Sequence, residues 1–292
     1  MSFDHPLVSV LVPTYQQEKF IEECLRSVIQ QKINFDIEIL VGDDCSPDKT
    51  AAVIENIAKL DNRIVLHQWP QNEGGLKNID KLLERAKGKY IAILEGDDFW
   101  LDPEHLAKSV GYLEQHPSCI FTAANYLHLI DSLLVQKQKL STKVIRPLHF
   151  WHLSLGNFIQ MGTLIYRRLF YPRVPSCFID LPLGDYPLII SLLNNGSGVY
   201  LNHTAMAYRI HSNGIWSGQP PVIQAEKTLI TLDALLKKLS MSSGRVALVK
   251  ALEARLQFQS SRTELVFLNM SFLWHISLYF IGYNFRKVIF LI

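Results

Sequence analysis

Cysteine is scarce: four thiols in 292 residues, Cys24, Cys45, Cys119 and Cys177, with no C-x-x-C pair and no histidine at ligand spacing beside them. That pattern excludes a disulfide framework and a structural zinc site, and it fits a reducing compartment. A surplus of one charge is missing too. Twenty-nine Lys and Arg against 27 Asp and Glu leave a formal charge of +2, far short of the basic excess that displaces counterions from nucleic acid. The first six residues show no positively charged segment followed by an apolar stretch, so no secretory signal is expected and the cytoplasm is the expected location. Neither G-x-x-x-x-G-K-[ST] nor G-x-G-x-x-G occurs, which removes the P-loop and dinucleotide fingerprints. Internal repeats and disordered linkers are absent as well.

What remains is a chain that folds. Hydrophobic residues make up 48% and charged residues 19%, a balance incompatible with intrinsic disorder. At about 150 residues per domain the length suits one large or two ordinary domains. β-branched apolar runs at 8–12, 37–41, 64–66 and 90–94 alternate with helical periodicity over 20–30, 47–60 and 76–85. Strand and helix in alternation predict a mixed, mostly parallel sheet flanked by helices. Ser46 before Pro47 and Asp102 before Pro103 predict capped helix starts with a first-turn proline. Further strands are expected at 119–125, 163–167 and 205–209, and a helix from Asp185 to about Leu193. From 221 to about 259 the pattern is helical again.

In open α/β sheets ligands bind beyond the carboxyl ends of the strands. The residues there are Pro13-Thr14-Tyr15, Gly42-Asp43-Asp44-Cys45-Ser46 and Glu95-Gly96-Asp97-Asp98. Carboxylates crowded at a strand end raise one another's pKa unless a cation offsets them. Hard oxygen ligands suit magnesium or manganese, and magnesium is typically held by one or two carboxylates plus substrate phosphates. The competing readings are an acidic turn capping the next helix at 95–98, Asx-turn and helix-dipole roles for Asp43 and Asp44, and an N-cap for Asp185. His211 follows Tyr208-Arg209-Ile210, where a cation and an imidazole could close over a phosphate group.

Taken in order, Val8-Ser9-Val10-Leu11-Val12-Pro13-Thr14-Tyr15, Val41-Gly42-Asp43-Asp44, Asn72-Glu73-Gly74, Lys77-Asn78, Leu94-Glu95-Gly96-Asp97-Asp98-Phe99-Trp100, Gly184-Asp185-Tyr186 and Tyr208-Arg209-Ile210-His211 resemble a family 2 glycosyltransferase of GT-A fold. The resemblance covers residues 7–217. It implies an inverting transfer of a sugar from a nucleoside diphosphate sugar, a UDP-sugar first, with Mg²⁺ or Mn²⁺ on the diphosphate. The acceptor it implies is a hydroxyl of a glycan or of a lipid-linked molecule in bacterial surface polysaccharide assembly. By position, Pro13, Thr14 and Tyr15 line the base pocket and Asp43 meets base or ribose. Lys77 and Asn78 approach the diphosphate, Asp97 touches the ribose and Asp98 the metal. Asp185 is the catalytic base, His211 joins Asp98 as a metal ligand, and His211 and Arg209 sit in the loop that closes on the diphosphate. Two residues depart from the family pattern: Glu95 replaces the first Asp of the commoner motif, and Cys45 replaces the usual Gly.

The expected organisation is a GT-A domain at 1–220, with a nucleotide-sugar half at 1–115 and an acceptor-side half at 116–220, followed by a helical extension at 221–292. Within that extension, residues 266–285 contain no Asp, Glu, Lys or Arg. They fit an interfacial helix, a packed helix or a membrane span, with Arg286 and Lys287 able to meet anionic headgroups on the cytosolic face. Two other functions remain open on the residues, a nucleotidyltransferase and a non-catalytic sugar-nucleotide-binding or scaffold module.

Overall fold

The computed structural model describes residues 5–135, 145–155, 157–212, 214 and 216–260. Its first half runs β1 (Val8–Thr14), α1 (Ile21–Ile29), β2 (Ile37–Asp43), α2 (Thr50–Ala58), β3 (Ile64–Gln68), α3 (Gly75–Arg85) and β4 (Tyr90–Ile93). It continues with β5 (Phe99–Trp100), α4 (His105–Gln115), β6 (Cys119–Ile130), β7 (Leu133–Val135), β8 (Arg146–Leu148) and β9 (Ile165–Arg167). The last elements are α5 (Asp185–Asn195), β10 (Ser197–Arg209), α6 (Pro221–Lys238) and α7 (Ser243–Ser260).

Period-two alternation along the strands assigns each side chain to one face of a single sheet. In β1, Leu11 packs with Leu82, Leu83 and Ile189 on one face, while Val8, Val10 and Val12 pack with Leu25, Val28 and Ile54 on the other. Ile91 and Ile93 of β4 join the first core, and Tyr90 and Ala92 join the second. Both faces are therefore covered, α3 and α5 on one and α1, α2 and α4 on the other. Leu232 and Leu235 of α6 and Leu248 and Leu252 of α7 join the first core, so the predicted helical extension packs against α5 and the same hydrophobic cluster as far as Leu252. The apolar segment 266–285 lies outside the described residues. Among the described residues no helix is long and apolar enough to cross a membrane.

The sheet order is β3-β2-β1-β4-β9-β6-β10-β5, with β7 paired to β6 and β8 to β10. The strands β1 to β4 pair in parallel, as does β10 with β6. Antiparallel pairing joins β9 to β4 and β6, and β5 to β10. The parallel character predicted from the sequence thus belongs to the amino-terminal strands, and antiparallel insertions make the sheet mixed. Strands β6 and β10 run well past the expected 119–125 and 205–209. The polar residues His128 and Asn202-His203-Thr204 had masked them, and register shifts between Tyr200 and Met206 accommodate the polar stretch.

Two helix starts differ from expectation. Ser46 does not cap α2, which begins at Thr50. Lys49 stands at the cap position with no side-chain cap, and Asp48 before it closes a turn, its Oδ1 accepting the Thr50 N–H at 3.0 Å. Asp102 Oδ1 accepts the Glu104 N–H at 2.9 Å, but this closes a turn ahead of α4, which starts at His105.

Candidate active site

The carboxyl ends of β1, β2 and β4 lie side by side, and backbone bonds lock their turns together. Gly96 N–H donates to Pro13 O at 3.2 Å, and Asp44 N–H to Thr14 O at 3.0 Å. Thr14 Oγ1 donates to Gln17 Oε1 at 2.6 Å. A Cβ at Gly96 would stand 2.3 Å from Gln17 Oε1 and 2.9 Å from Thr14 Oγ1, so a larger residue in the acidic turn would have to displace the Gln17 side chain that Thr14 holds. Pro13 and Thr14 are buried behind the turns, whereas Tyr15 is 36% exposed at their rim.

Asp43 and Asp44 divide the work of the β2 turn. Asp43 Oδ1 accepts from the Ser46 hydroxyl and, at 3.3 Å, from the Ser46 N–H. Burial raises its pKa, with the Ser46 bonds opposing. Asp44 holds the loop before α3, accepting the N–H groups of Glu73 at 3.0 Å and Gly74 at 2.8 Å. Cys45, between them and Ser46, has a φ of 63°, the left-handed region that favours glycine.

The β4 turn concentrates negative charge. Asp98 is 1% exposed. Its Oδ1 accepts the Arg209 N–H at 2.8 Å, and its Oδ2 is buried with no hydrogen-bond partner. Burial first, then the charges of Asp97 and Glu95, raise its pKa well above the usual range. Glu95 is pushed up to about 8 by burial and by the charges of Asp97 and Asp185. His211 Nε2 lies 3.1 Å from Asp97 Oδ2, and its ring leans on Phe20.

Asp185 is the first residue of α5 rather than its cap, Gly184 standing before it. Burial raises its pKa, which brings a carboxylate closer to the pKa of an effective base. Its Oδ1 accepts the Tyr186 N–H at 2.8 Å, and its Oδ2 accepts the Asn157 amide.

Three expected site residues are placed differently from one another. Lys77 pairs with Asp180 at 3.2 Å and stays 41% exposed, an accessible cation in the first turn of α3. Asn78 is 2% exposed; its Nδ2 donates to Gly42 O at 2.7 Å and its Oδ1 accepts from Trp69 Nε1 at 2.8 Å. A diphosphate contact for Asn78 gives way to a structural one, because each end of its amide is bound to the scaffold. Arg209 is likewise turned inward: Nε donates to Asp97 O at 2.8 Å, Nη2 meets Glu23 Oε2 at 2.5 Å, and the guanidinium lies over Phe20 at 4.7 Å. In these contacts it braces the acidic turn from the side of α1. Asn157 and Glu23 escaped the sequence reading, since nothing in a lone Asn or a helix-surface Glu marks a contact that only folding creates.

The residues fit a divalent cation. An orphaned, buried Asp98 oxygen with Asp97 beside it leaves negative charge unbalanced, and a cation is the group that would balance it. Among the described residues no three His, Cys, Asp or Glu side chains converge on one point. A surface depression of about 540 Å³ bordered by Phe35, Glu38, Arg63 and Lys87 lies at the opposite, amino-terminal ends of the strands and shares no residue with the acidic turns.

Comparison with known proteins agrees with this arrangement. The model of glycosyl transferase family 2 matches residues 9–172. A Bacillus subtilis protein named as a teichuronic acid biosynthesis glycosyltransferase, TuaG, is 29% identical over 73% of this chain and 83% of its own. The chain spans 60% of the length of the Mycobacterium tuberculosis relatives that it matches at 32% identity over 72% of itself. Among solved structures, Staphylococcus aureus TarS residues 1–349 with UDP-GlcNAc superposes with a TM-score of 0.66 at 19% identity, covering 92% of this chain and 79% of that one. The mannosyltransferase PcManGT of Pyrobaculum calidifontis with GDP-Man and Mn²⁺ gives 0.61 at 14% identity, covering 95% and 74%. At these identities the likeness is one of fold, and the GT-A architecture expected from the sequence is the one observed.

Proposed function

The chain belongs to glycosyl transferase family 2, and from that premise we propose that it is an inverting glycosyltransferase. It moves a sugar from a nucleoside diphosphate sugar, a UDP-sugar first, to a hydroxyl of a glycan or lipid-linked acceptor in surface polysaccharide biosynthesis. The observation that carries this reading is the buried acidic turn at 95–98, whose Asp98 Oδ2 has no hydrogen-bond partner among the described residues. The name of TuaG supports the polysaccharide context. The two structures bound to sugar nucleotides support the donor class while differing in its base.

In this reading Pro13, Thr14, Tyr15 and Asp43 form the base and ribose side of the donor site, with Asp97 on the ribose. Asp98 and His211 hold Mg²⁺ or Mn²⁺, and Lys77 is the protein cation nearest the diphosphate. A bound divalent cation supplies positive charge against the negative charge that develops on the departing nucleotide. Asp185 accepts the proton of the acceptor hydroxyl as that oxygen attacks the anomeric carbon on the face opposite the leaving group. Asn78 and Arg209 act from behind, holding the turns that carry the other groups.

The test is release of nucleotide from a panel of UDP-, dTDP- and GDP-sugars with Mn²⁺, Mg²⁺ or EDTA. Metal-dependent release from one donor is expected. Absence of both release and calorimetric donor binding across the panel would replace the enzyme with a scaffold module. We assign the work to the cytosolic face of a membrane on the sequence of residues 266–287 alone, and unchanged partitioning onto anionic vesicles after deletion from residue 266 would remove that assignment.

A further inference from the structure

Asn157 and Asp185 are 28 residues apart and belong to different segments, yet two hydrogen bonds join those segments and a local bond within each fixes the geometry. Asn157 Nδ2 donates to Asp185 Oδ2. Asn157 Oδ1 accepts the Ile159 N–H at 3.0 Å, which fixes the amide orientation so that its NH₂ faces the carboxylate. In return, the Asn157 N–H donates to the Tyr186 hydroxyl at 3.2 Å, and the Tyr186 N–H donates to Asp185 Oδ1 at 2.8 Å. The clasp is anchored in the core through Ile159, which is 2% exposed, and Tyr186, which is 7% exposed.

We propose that Asn157 is the positioning residue of this active site, its side-chain amide holding Asp185 Oδ2 so that the carboxylate keeps one orientation. The proposal rests on the reading of Asp185 as the base. A base of this kind must be ionised and must point a free lone pair at the acceptor hydroxyl. Burial works against ionisation at Asp185, and the amide works for it. An amide is suited to the task because it donates without itself exchanging a proton at working pH. The Tyr186 N–H holds Oδ1 and the Asn157 amide holds Oδ2. A histidine or a carboxylate at position 157 would compete for the same proton, and an aliphatic side chain would leave the Oδ2 atom unheld.

The decisive measurement does not require a known donor. Aspartate carboxyl carbons are labelled with carbon-13, the Asp185 signal is identified by its loss in Asp185→Asn, and its titration is followed in the whole chain. Removing a hydrogen bond to a charged group makes the carboxylate bind its proton about tenfold more tightly, so Asn157→Ala should move the Asp185 titration upward by that factor. Asn157→Asp is the near-isosteric control that keeps an acceptor for the Ile159 N–H and so guards against loss of folding. It should raise the proton affinity further, because two carboxyl groups then share one site. An Asp185 titration that matches the wild type in both variants overturns the proposal. A second arm, nucleotide release with the donor that the wild type uses, separates it from the reading it rests on. Asn157→Ala should lower turnover alone and have no further effect in Asp185→Asn. Normal turnover in Asp185→Asn, with the titration still displaced by Asn157→Ala, would end the base assignment and leave the positioning contact intact. An inactive Asp185→Asn with an unmoved titration would do the reverse.

Discussion

Asp44 after β2 and Asp98 after β4 are equally buried, at 2% and 1% exposure, and they are satisfied in opposite ways. Both Asp44 oxygens accept backbone N–H groups, from Glu73 and Gly74. Asp98 has one oxygen on the Arg209 N–H and the other on nothing. Two acidic turns that look alike in the sequence therefore do different work. The first spends its charge on holding a loop, and the second keeps a charged oxygen in reserve. A buried polar atom left unbonded is costly, and it persists where a ligand completes the site.

This contrast predicts crossed effects. Asp98→Asn removes the unbalanced charge and should abolish metal-dependent nucleotide release while changing stability by less than about 1 kcal/mol in urea unfolding. Activity that survives with its metal dependence intact would move the reserve charge elsewhere. Asp185→Asn should lower turnover by about 10²–10⁴-fold, as loss of a general base does, with donor affinity by calorimetry little changed. Asp44→Ala should do the opposite to Asp98→Asn. It strands two N–H groups and should cost about 3 kcal/mol of stability, leaving activity per folded molecule the less affected quantity. A fully stable Asp44→Ala would erase the distinction between the two turns.

A third buried cluster extends the comparison to groups of the other sign. His105 Nδ1 and His203 Nε2 share a hydrogen bond at 3.0 Å, with Asp102 3.9 Å from His203 and Lys108 paired to Asp102. Burial pushes the His105 pKa down to about 3 and the His203 pKa down to about 4, from an ordinary 6.5. Below pH 6.5 the unfolded chain takes up protons that the folded chain refuses, so stability is present above that value and is lost as pH falls toward about 4. Thermal unfolding across this window should show that loss, and His203→Gln should flatten it. An equally steep slope in the variant would assign the acid sensitivity to other groups.

Much of this was legible from pattern alone. The β-branched apolar runs placed β1 to β4 and the acidic turns at their carboxyl ends, since a strand covered on both faces declares itself in its own residues. What the sequence could not reveal was direction. Arg209 and Asn78 have the chemistry of diphosphate ligands, but whether a side chain points into the cleft or behind it is decided by partners such as Glu23 and Trp69, far away along the chain. Asn157 was illegible for the same reason, its value lying wholly in its meeting with Asp185. Ser46 misled in a more local way: a Ser-Pro pair reads as a helix start, yet the Asp43 carboxylate draws the hydroxyl back to β2.

Cys45 offers the smallest effect and a direct reading of the same turn. It sits at φ 63°, exposed, with its Sγ 3.8 Å from Pro70 O, where the family pattern has glycine. A side chain in this region is strained by its Cβ, and a thiol contact at that distance returns little. Glycine removes the strain but gives the unfolded chain more freedom, so the two terms partly cancel. The strain term is the larger at positive φ, and Cys45→Gly should raise stability by up to about 1 kcal/mol in denaturant unfolding. Cys45→Ala keeps the Cβ and should show no such gain. Equal behaviour of the two variants would mean that the thiol, rather than the backbone, sets the energy of the turn that carries Asp43 and Asp44.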